Sequence, residues 1–417
     1  MYNRRILPNG LRVVGETVPH VRSVSIGFWT LCGSRNEGPR EQGISHLLEH
    51  MAFKGTNNRS AREIARVMDS IGGHLNAFTT KEYTCFYLKV LDRHFRLAME
   101  LLADLVLNSL LAPEDLEKEK NVILEEIKSY EDSPDEQVFD LLTETVLSGH
   151  PLGHSILGTP ESIRRLSPED LTAYKRRFYT PDHSCLAVAG NVGFDEVIKA
   201  AGVYWGEFSG KTTEKESITW KTKGKSLLKS KETEQVHLCV GTPGFPRKHD
   251  DRYVIIALDN ALGGSASSRL FQELREERGL VYSTGSHYAA FQDTGLFSVY
   301  AGTSMQYFSE VLKVIHREIT DLRSNPLSEE ELKRVKEQIK GNFWLSLENS
   351  TNRMSRLAKA ELFYNKIIPP EEVVARVDEV TGEDILRVAR TLFKKDTLTL
   401  TAIGPFTDDF ELKGWEI

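Results

Sequence analysis

Ser167-Pro168-Glu169-Asp170-Leu171 opens a segment that runs through Phe178 and Asp182 to Cys185-Leu186-Ala187-Val188-Ala189-Gly190. Downstream, Thr381-Gly382-Glu383-Asp384-Ile385 runs through Leu392 and Asp396 to Leu398-Thr399-Leu400-Thr401-Ala402-Ile403-Gly404, without a gap and at a constant offset of 214 residues. Each copy begins with a hydroxyl residue followed by acids, the pattern that caps the free N–H groups of a helix start. Each then ends in a short apolar strand closed by glycine. Two tandem α+β units of related design are the simplest expectation. Between the copies, Gly206-Glu207-Phe208-Ser209-Gly210-Lys211-Thr212-Thr213-Glu214-Lys215-Glu216-Ser217 is polar and lacks periodicity, as a linker does. The expected division is a first α+β domain over 1–206, a linker over 207–224 and a second α+β domain over 225–417.

A chain of 417 residues exceeds what one core usually organises, which agrees with two domains. Its apolar and charged fractions are those of a soluble, globular protein. No stretch reaches the roughly 18 apolar residues of a membrane span, so no membrane anchor is expected. Arg4 and Arg5 are followed by the turn-forming Pro8-Asn9-Gly10 and not by an apolar region, and a cytoplasmic location is the default. Cys32, Cys85, Cys185 and Cys239 form no CxxC pair, so buried reduced thiols are expected in place of disulfides or a cysteine metal site. A net charge of −7 without a basic stripe argues against a nucleic-acid partner and suits cationic peptides.

Val24, Ile26 and Phe28 alternate with Ser23, Ser25 and Gly27, the pattern of a half-buried strand. A helix fits residues 42–53, and Ser60 with Glu63 forms a capping box that opens another. Residues 74–90 read as a hairpin, and Pro113 suits the first position of a long helix.

Within the first of these helices, His46 and His50 of His46-Leu47-Leu48-Glu49-His50 are four apart and share a face, with Glu49 beside them. Two neutral imidazoles suit zinc, and a carboxylate in the same turn can take a proton from a metal-bound water. The order is the inverse of HExxH and is a zinc-peptidase signature. In the helix from Pro113, Leu116, Ile123, Ile127 and Tyr130 define an inward stripe, and Glu119 and Glu126 project within or beside it. Glu117 and Glu125 point away. Two inward carboxylates call for a metal, an ion pair or a hydrogen-bond network.

His46 to Thr56, Gly72-Gly73-His74-Leu75-Asn76-Ala77-Phe78-Thr79 and Glu119 to Glu126 together resemble the pitrilysin family of zinc metallopeptidases, in its half-size, mitochondrial-processing-peptidase-like form. The resemblance implies that His46 and His50 are metal ligands, that Glu49 is the general base, that Glu126 completes the site and that Glu119 supports it. It implies one Zn2+ per chain, because the second half has no His-x-x-Glu-His. An unshifted offset puts Asn260, Gly263 and Gly264 opposite His46, Glu49 and His50, and His237, His249, His287 and His316 form no helical pair.

Leu274-Arg275-Glu276-Glu277-Arg278-Gly279-Leu280-Val281-Tyr282 resembles the family segment whose arginine and tyrosine contact substrate, which maps onto Arg275 and Tyr282. Glu136 and Asp140, four apart, resemble the acidic segment that binds an arginine near the cleavage point. The expected protein is therefore a zinc-dependent endopeptidase in which zinc-bound water attacks an extended peptide and Glu49 takes its proton. The peptide would lie along an edge strand near Asn76, Ala77 and Phe78. Full-length relatives join two halves of this size into a clamshell. A chain that carries both the metal motif and the Arg275/Tyr282 pair is thus expected to form a homodimer, the alternative being a heterodimer with a degenerate relative.

Overall fold

A computed structural model describes residues 2–212, 220, 222–412 and 415. In chain order it gives β1 Tyr2–Ile6, β2 Arg12–Thr17, β3 Ser23–Thr30, α1 Ile44–Ala52 and α2 Ala61–Ile71. The hairpin β4 His74–Thr79 and β5 Thr84–Leu91 follows, then α3 Phe95–Asn108, α4 Pro113–Glu131 and α5 Pro134–Val146. α6 Pro160–Arg165 and α7 Pro168–Phe178 lead to β6 Ser184–Gly190 and α8 Phe194–Trp205. The second half runs β7 Ser226–Ser230, β8 Val236–Gly244, α9 Arg252–Leu262, β9 Val281–Ala290 and β10 Gly295–Thr303. Helices α10 Phe308–Ser324, α11 Glu329–Ser346, α12 Ser350–Tyr364, α13 Pro370–Glu379 and α14 Gly382–Leu392 precede β11 Thr399–Gly404.

The repeat read from the sequence is structural. Ser167 and Thr381 each close a capping box on the aspartate three residues on, and α7 and α14 occupy equivalent positions in the two copies. β6 pairs parallel with β2 and antiparallel with β3, while β11 pairs parallel with β7 and antiparallel with β8. The sheets are β1-β2-β6-β3-β5-β4 and β7-β11-β8-β10-β9. The counterpart of α1, α9, lies at 252–262, so the unshifted offset does not hold there.

One compact unit comprises Met1–Lys128, His154–Ser217 and Trp344–Ile368; the other comprises Ser129–Gly153, Ile218–Phe343 and Pro369–Ile417. The expected domains were continuous in sequence; these units are not, because each takes one helix from the other half of the chain. In the first unit Ile26, Phe28, Phe86, Leu88 and Val90 join α1, α3 and α8 in the main core. The opposite sheet face, with Val14, Trp29, Cys85, Cys185 and Ala187, is covered by Met354, Leu357, Ala358, Leu362 and Phe363 of α12.

β3 is consequently buried on both faces and not half-buried as its alternation suggested. Its serines are absorbed by hydrogen bonding: Ser25 Oγ lies 2.9 Å from Ser350 Oγ. In the second unit α9, α10 and α14 cover one face of the sheet. Val138, Leu142 and Val146 of α5 pack with Cys239, Leu296 and Ile403 on the other. Within the expected linker, 213–219 and 221 lie outside the described residues. Among the described residues no helix is long and apolar enough to cross a membrane, and all four cysteines are free and buried.

Candidate metal centre

α1 starts at Ile44, two residues later than its sequence suggests, because Gly43 takes a left-handed conformation (φ 87°) that a side chain would resist. The buried Glu37 carboxylate receives the exposed N–H groups of this start, accepting from Gly43 N at 2.8 Å and Ser45 N at 3.0 Å. Ile44, Leu47, Leu48, Met51 and Ala52 pack inward, which rolls His46, Glu49 and His50 onto the remaining face.

α4 supplies the facing carboxylates. Leu116, Ile123 and Ile127 bury its inner stripe, and Glu119 is buried with them. Glu126 is not inward as its periodicity suggested: 44% of its side chain is exposed. That leaves its carboxylate free to meet the histidines. Glu126 Oε2 lies 3.9 Å from His46 Nε2 and 4.0 Å from His50 Nε2. One donor atom from each of the three residues falls within 4.8 Å of the others, the one such group among the described residues.

The environment fits a divalent cation. Zinc binds nitrogen and carboxylate oxygen at about 2 Å, so separations near 4 Å need only slight closure. His50 Nδ1 is 3.1 Å from Glu119 Oε2, which fixes the ring and leaves Nε2 for a metal. Lys54 Nζ holds the other Glu119 oxygen at 2.7 Å. Burial, reinforced by the nearby His50, lowers the His46 pKa to about 4, so this imidazole is neutral at ordinary pH. Its Nδ1 is buried and, among the described residues, has no hydrogen-bond partner. Glu49, Glu119 and Glu126 against Lys54 leave two net negative charges, which one Zn2+ cancels. Burial raises the Glu49 pKa, opposed by a 2.6 Å hydrogen bond that Thr79 Oγ1 donates to its Oε2.

Comparison with known proteins places this arrangement. The family model described as Insulinase (Peptidase family M16) matches residues 12–160, which contain the whole cluster, and the model described as Peptidase M16 inactive domain matches 165–339. The uncharacterized zinc protease YmxG of Bacillus subtilis is 44% identical over 407 residues, covering 97% of this chain and 98% of its own. The chain belongs to peptidase family M16. An uncharacterized zinc protease of Streptomyces coelicolor is 38% identical over 414 residues, with 97% of this chain and 90% of the relative covered. In fold, this M16 chain matches a protease from Helicobacter pylori at TM-score 0.90 and 24% identity, covering 97% and 99% of the two chains. It also matches a peptidase M16 inactive domain from Pseudomonas fluorescens at TM-score 0.92 and 19% identity, covering 99% and 100%.

The other candidate residues of the M16 chain fall in two places. In the first unit Asn76, Ala77 and Phe78 lie on β4, an edge strand. Asn76 is exposed, whereas the Phe78 ring packs on Trp29 with centroids 5.6 Å apart. Arg275 and Tyr282 belong to the second unit and come together there. A π-helix, Phe271–Glu277, presents the Arg275 guanidinium 4.9 Å from the Phe271 ring and 5.8 Å from the Tyr282 ring. Tyr282 is 78% exposed. Glu136 and Asp140 lie one turn apart on α5, in the same unit as Arg275, with Glu136 exposed. The Tyr130 hydroxyl donates to the Glu136 carbonyl at 3.1 Å.

Three residues at the centre escaped the sequence reading. Lys54 lies inside the His46–Thr56 segment but just past the end of α1 at Ala52, so helical spacing did not single it out. Thr79 ends the Asn76-Ala77-Phe78 segment and needed only the hairpin register to reach Glu49. Glu37 carried no local signal, because its partners depend on the loop that leads into α1.

Two buried groups set opposite pH responses in metal-free protein. Burial raises Glu37 to about 7, against the pull of its two N–H partners, so its stabilising contribution is present below about pH 4.5 and lost as pH rises through 7. His46 is depressed from 6.5 to about 4, so the unfolded chain takes that proton first and stability falls as pH drops across this window. Each shift corresponds to about 3 kcal/mol. Relative to the parent, denaturant midpoints of metal-free protein should therefore shift downward in E37Q and upward in H46Q as pH goes from 7 to 5. Parallel behaviour of all three proteins would contradict these assignments.

Proposed function

We propose that the protein is a zinc-dependent endopeptidase that holds one Zn2+ per chain through His46, His50 and Glu126. The observation that carries this reading is the convergence of those three donor atoms beside a half-buried carboxylate, Glu49, on α1. The names of its relatives support zinc and peptidase chemistry. When bound, zinc supplies a Lewis acid that polarises a carbonyl and acidifies water. Glu49 takes the proton of the attacking water at Oε1, the oxygen Thr79 does not engage, and delivers it to the leaving amine. Glu119 keeps His50 oriented through Nδ1, and Lys54 keeps Glu119 in place.

An extended peptide would pair with the free edge of β4 along Asn76, Ala77 and Phe78. Beside it a cleft of about 660 Å³, lined by Phe53, Ile64, Met68 and Leu75 with Asp69 and His74, suits an apolar substrate side chain. Incubating zinc-loaded protein with unfolded peptides, with and without a chelator, tests the reading. Internal cleavage that the chelator abolishes and zinc restores is expected; zinc-loaded protein that cleaves nothing sinks it.

The acidic pair on α5 supports a preference for a basic residue near the scissile bond, as in a processing peptidase. Peptides with Arg at that position should be cleaved about tenfold faster than those with Ala, and E136Q/D140N protein should lose the difference. Equal rates for Arg and Ala in the parent remove the idea.

The same reading makes the active species a cytoplasmic homodimer in which Arg275 and Tyr282 of one copy serve the zinc site of the other, donating hydrogen bonds to the substrate carbonyl. The exposure of Tyr282 and the length of the one ion pair that the Arg275 guanidinium makes with a carboxylate among the described residues, to Glu276 at 3.9 Å, leave both groups available for that role. E49Q and R275A proteins, each weak alone, should regain activity when mixed and reassociated. Exchange of subunits without any gain rules out completion of the site in trans.

A further inference from the structure

We propose that Thr79 is a positioning residue that fixes the Glu49 carboxylate and couples it to the edge strand β4. The proposal rests on reading Glu49 as the general base. Thr79 Oγ1 lies 2.6 Å from Glu49 Oε2, and among the described residues no other side-chain donor is bonded to Glu49.

The proton of Thr79 is committed to this bond. Its other neighbour, Thr84 Oγ1, sits 3.3 Å away and donates its own proton to the Cys32 carbonyl at 2.8 Å. Thr84 can therefore accept but has no proton to offer, and Thr79 keeps its donor for Glu49. The bond selects between the carboxylate oxygens: Oε2 is held, and Oε1 is left for the reacting water. A glutamate has three rotatable side-chain bonds and a strand threonine a restricted χ1, so the threonine sets the position of the pair.

Thr79 is itself anchored. It pairs with Thr84 across the hairpin. The turn behind it is closed by Thr80 N donating to Tyr83 O at 2.9 Å, and is tied to the chain before α1 by Ser34 N donating to Thr80 O at 3.2 Å and Arg35 N donating to Lys81 O at 2.9 Å. The base on α1 is thus referenced to the strand that would carry the peptide. A register error between peptide and base becomes an error in one hydrogen-bonded pair, and misplacement by about 1 Å costs on the order of 100-fold in rate.

Thr79→Val keeps the shape and strand preference of the residue and removes the hydroxyl; Thr79→Ser keeps the hydroxyl. T79V should lose about 10- to 100-fold in kcat with KM and zinc affinity unchanged, and T79S should recover most of the rate. Crystal structures supply a second readout that needs no activity. The Glu49 carboxyl should rest on residue 79 in the zinc-loaded parent and in T79S, and should leave that position in T79V. T79V that cleaves at the parental rate, or that leaves Glu49 where it was, overturns the proposal. A drop that T79S does not recover, or one accompanied by lost zinc, assigns Thr79 a purely structural part and also overturns it. If the zinc-loaded parent cleaves nothing, the peptidase reading fails on its own, and the position of Glu49 in the T79V crystal still decides the role of Thr79.

Discussion

Glu49→Gln protein is expected to bind zinc as tightly as the parent and to cleave peptides roughly 100- to 10,000-fold more slowly, the range attributed to a positioned general base. Glutamine has the shape of glutamate, and its amide oxygen can accept the Thr79 hydrogen bond that now ends on Oε2. It cannot take a proton. His46→Gln and Glu126→Gln should lose activity by another route, because each replaces one of the three groups whose donor atoms converge within 4.8 Å with a neutral amide that binds zinc weakly. Bound zinc, measured by competition with a chromophoric chelator, separates the two classes. An E49Q protein that cleaves at the parental rate would show that another group handles the proton.

The second large effect concerns folding. Residues 1–206 expressed alone should fail to form a cooperatively folded domain, although they contain the entire metal centre and its sheet. Without α12, the sheet face bearing Val14, Trp29, Cys85, Cys185 and Ala187 loses Met354, Leu357, Ala358, Leu362 and Phe363. Burying large apolar side chains of this kind is worth about 1.5–3 kcal/mol each, so the loss is roughly 10 kcal/mol. That matches the whole stability of a typical domain, about 5–15 kcal/mol. Two ion pairs go as well: the Arg4 guanidinium bonds the fully buried Glu361 carboxylate at 2.7 Å and 2.9 Å, and Arg353 pairs with Glu16. Joining residues 344–368 to the fragment through a flexible linker should restore a sharp denaturant transition. A lone 1–206 fragment that unfolds cooperatively would contradict this account of the sheet.

These two predictions mark where the sequence was legible. His46 and His50 stand one helical turn apart, so their common face followed from spacing alone. Glu119 and Glu126 are two turns apart and share a direction for the same reason. The capping boxes at Ser167 and Thr381 are equally local, and they exposed the repeat. What local spacing could not supply was the partner of each face. The Ser-rich side of β3 read as solvent-facing because nothing near it in sequence announced that Ser350 and Thr351 would meet Ser25. The same blindness hid the exchange of α5 and α12, and so the discontinuity of both units. Glu126 lies on the stripe that periodicity indicates yet is 44% exposed, since periodicity gives the direction of a side chain but not where the helix leaves the core. Thr79 and Lys54 were within the quoted segments or one turn beyond them, but their roles depend on hairpin register and on the approach of α4.

The central claim, that one zinc ion is held by His46, His50 and Glu126, is tested most directly by X-ray absorption at the zinc edge on protein loaded with one equivalent of the metal. Two imidazole nitrogens and carboxylate oxygen at about 2.0–2.2 Å with no sulfur are expected, and in H46Q, kept at a concentration well above its weakened Kd so that the metal stays bound, the imidazole signal should fall by half. A sulfur ligand near 2.3 Å, or a spectrum unchanged by H46Q, would place the metal elsewhere and contradict the account.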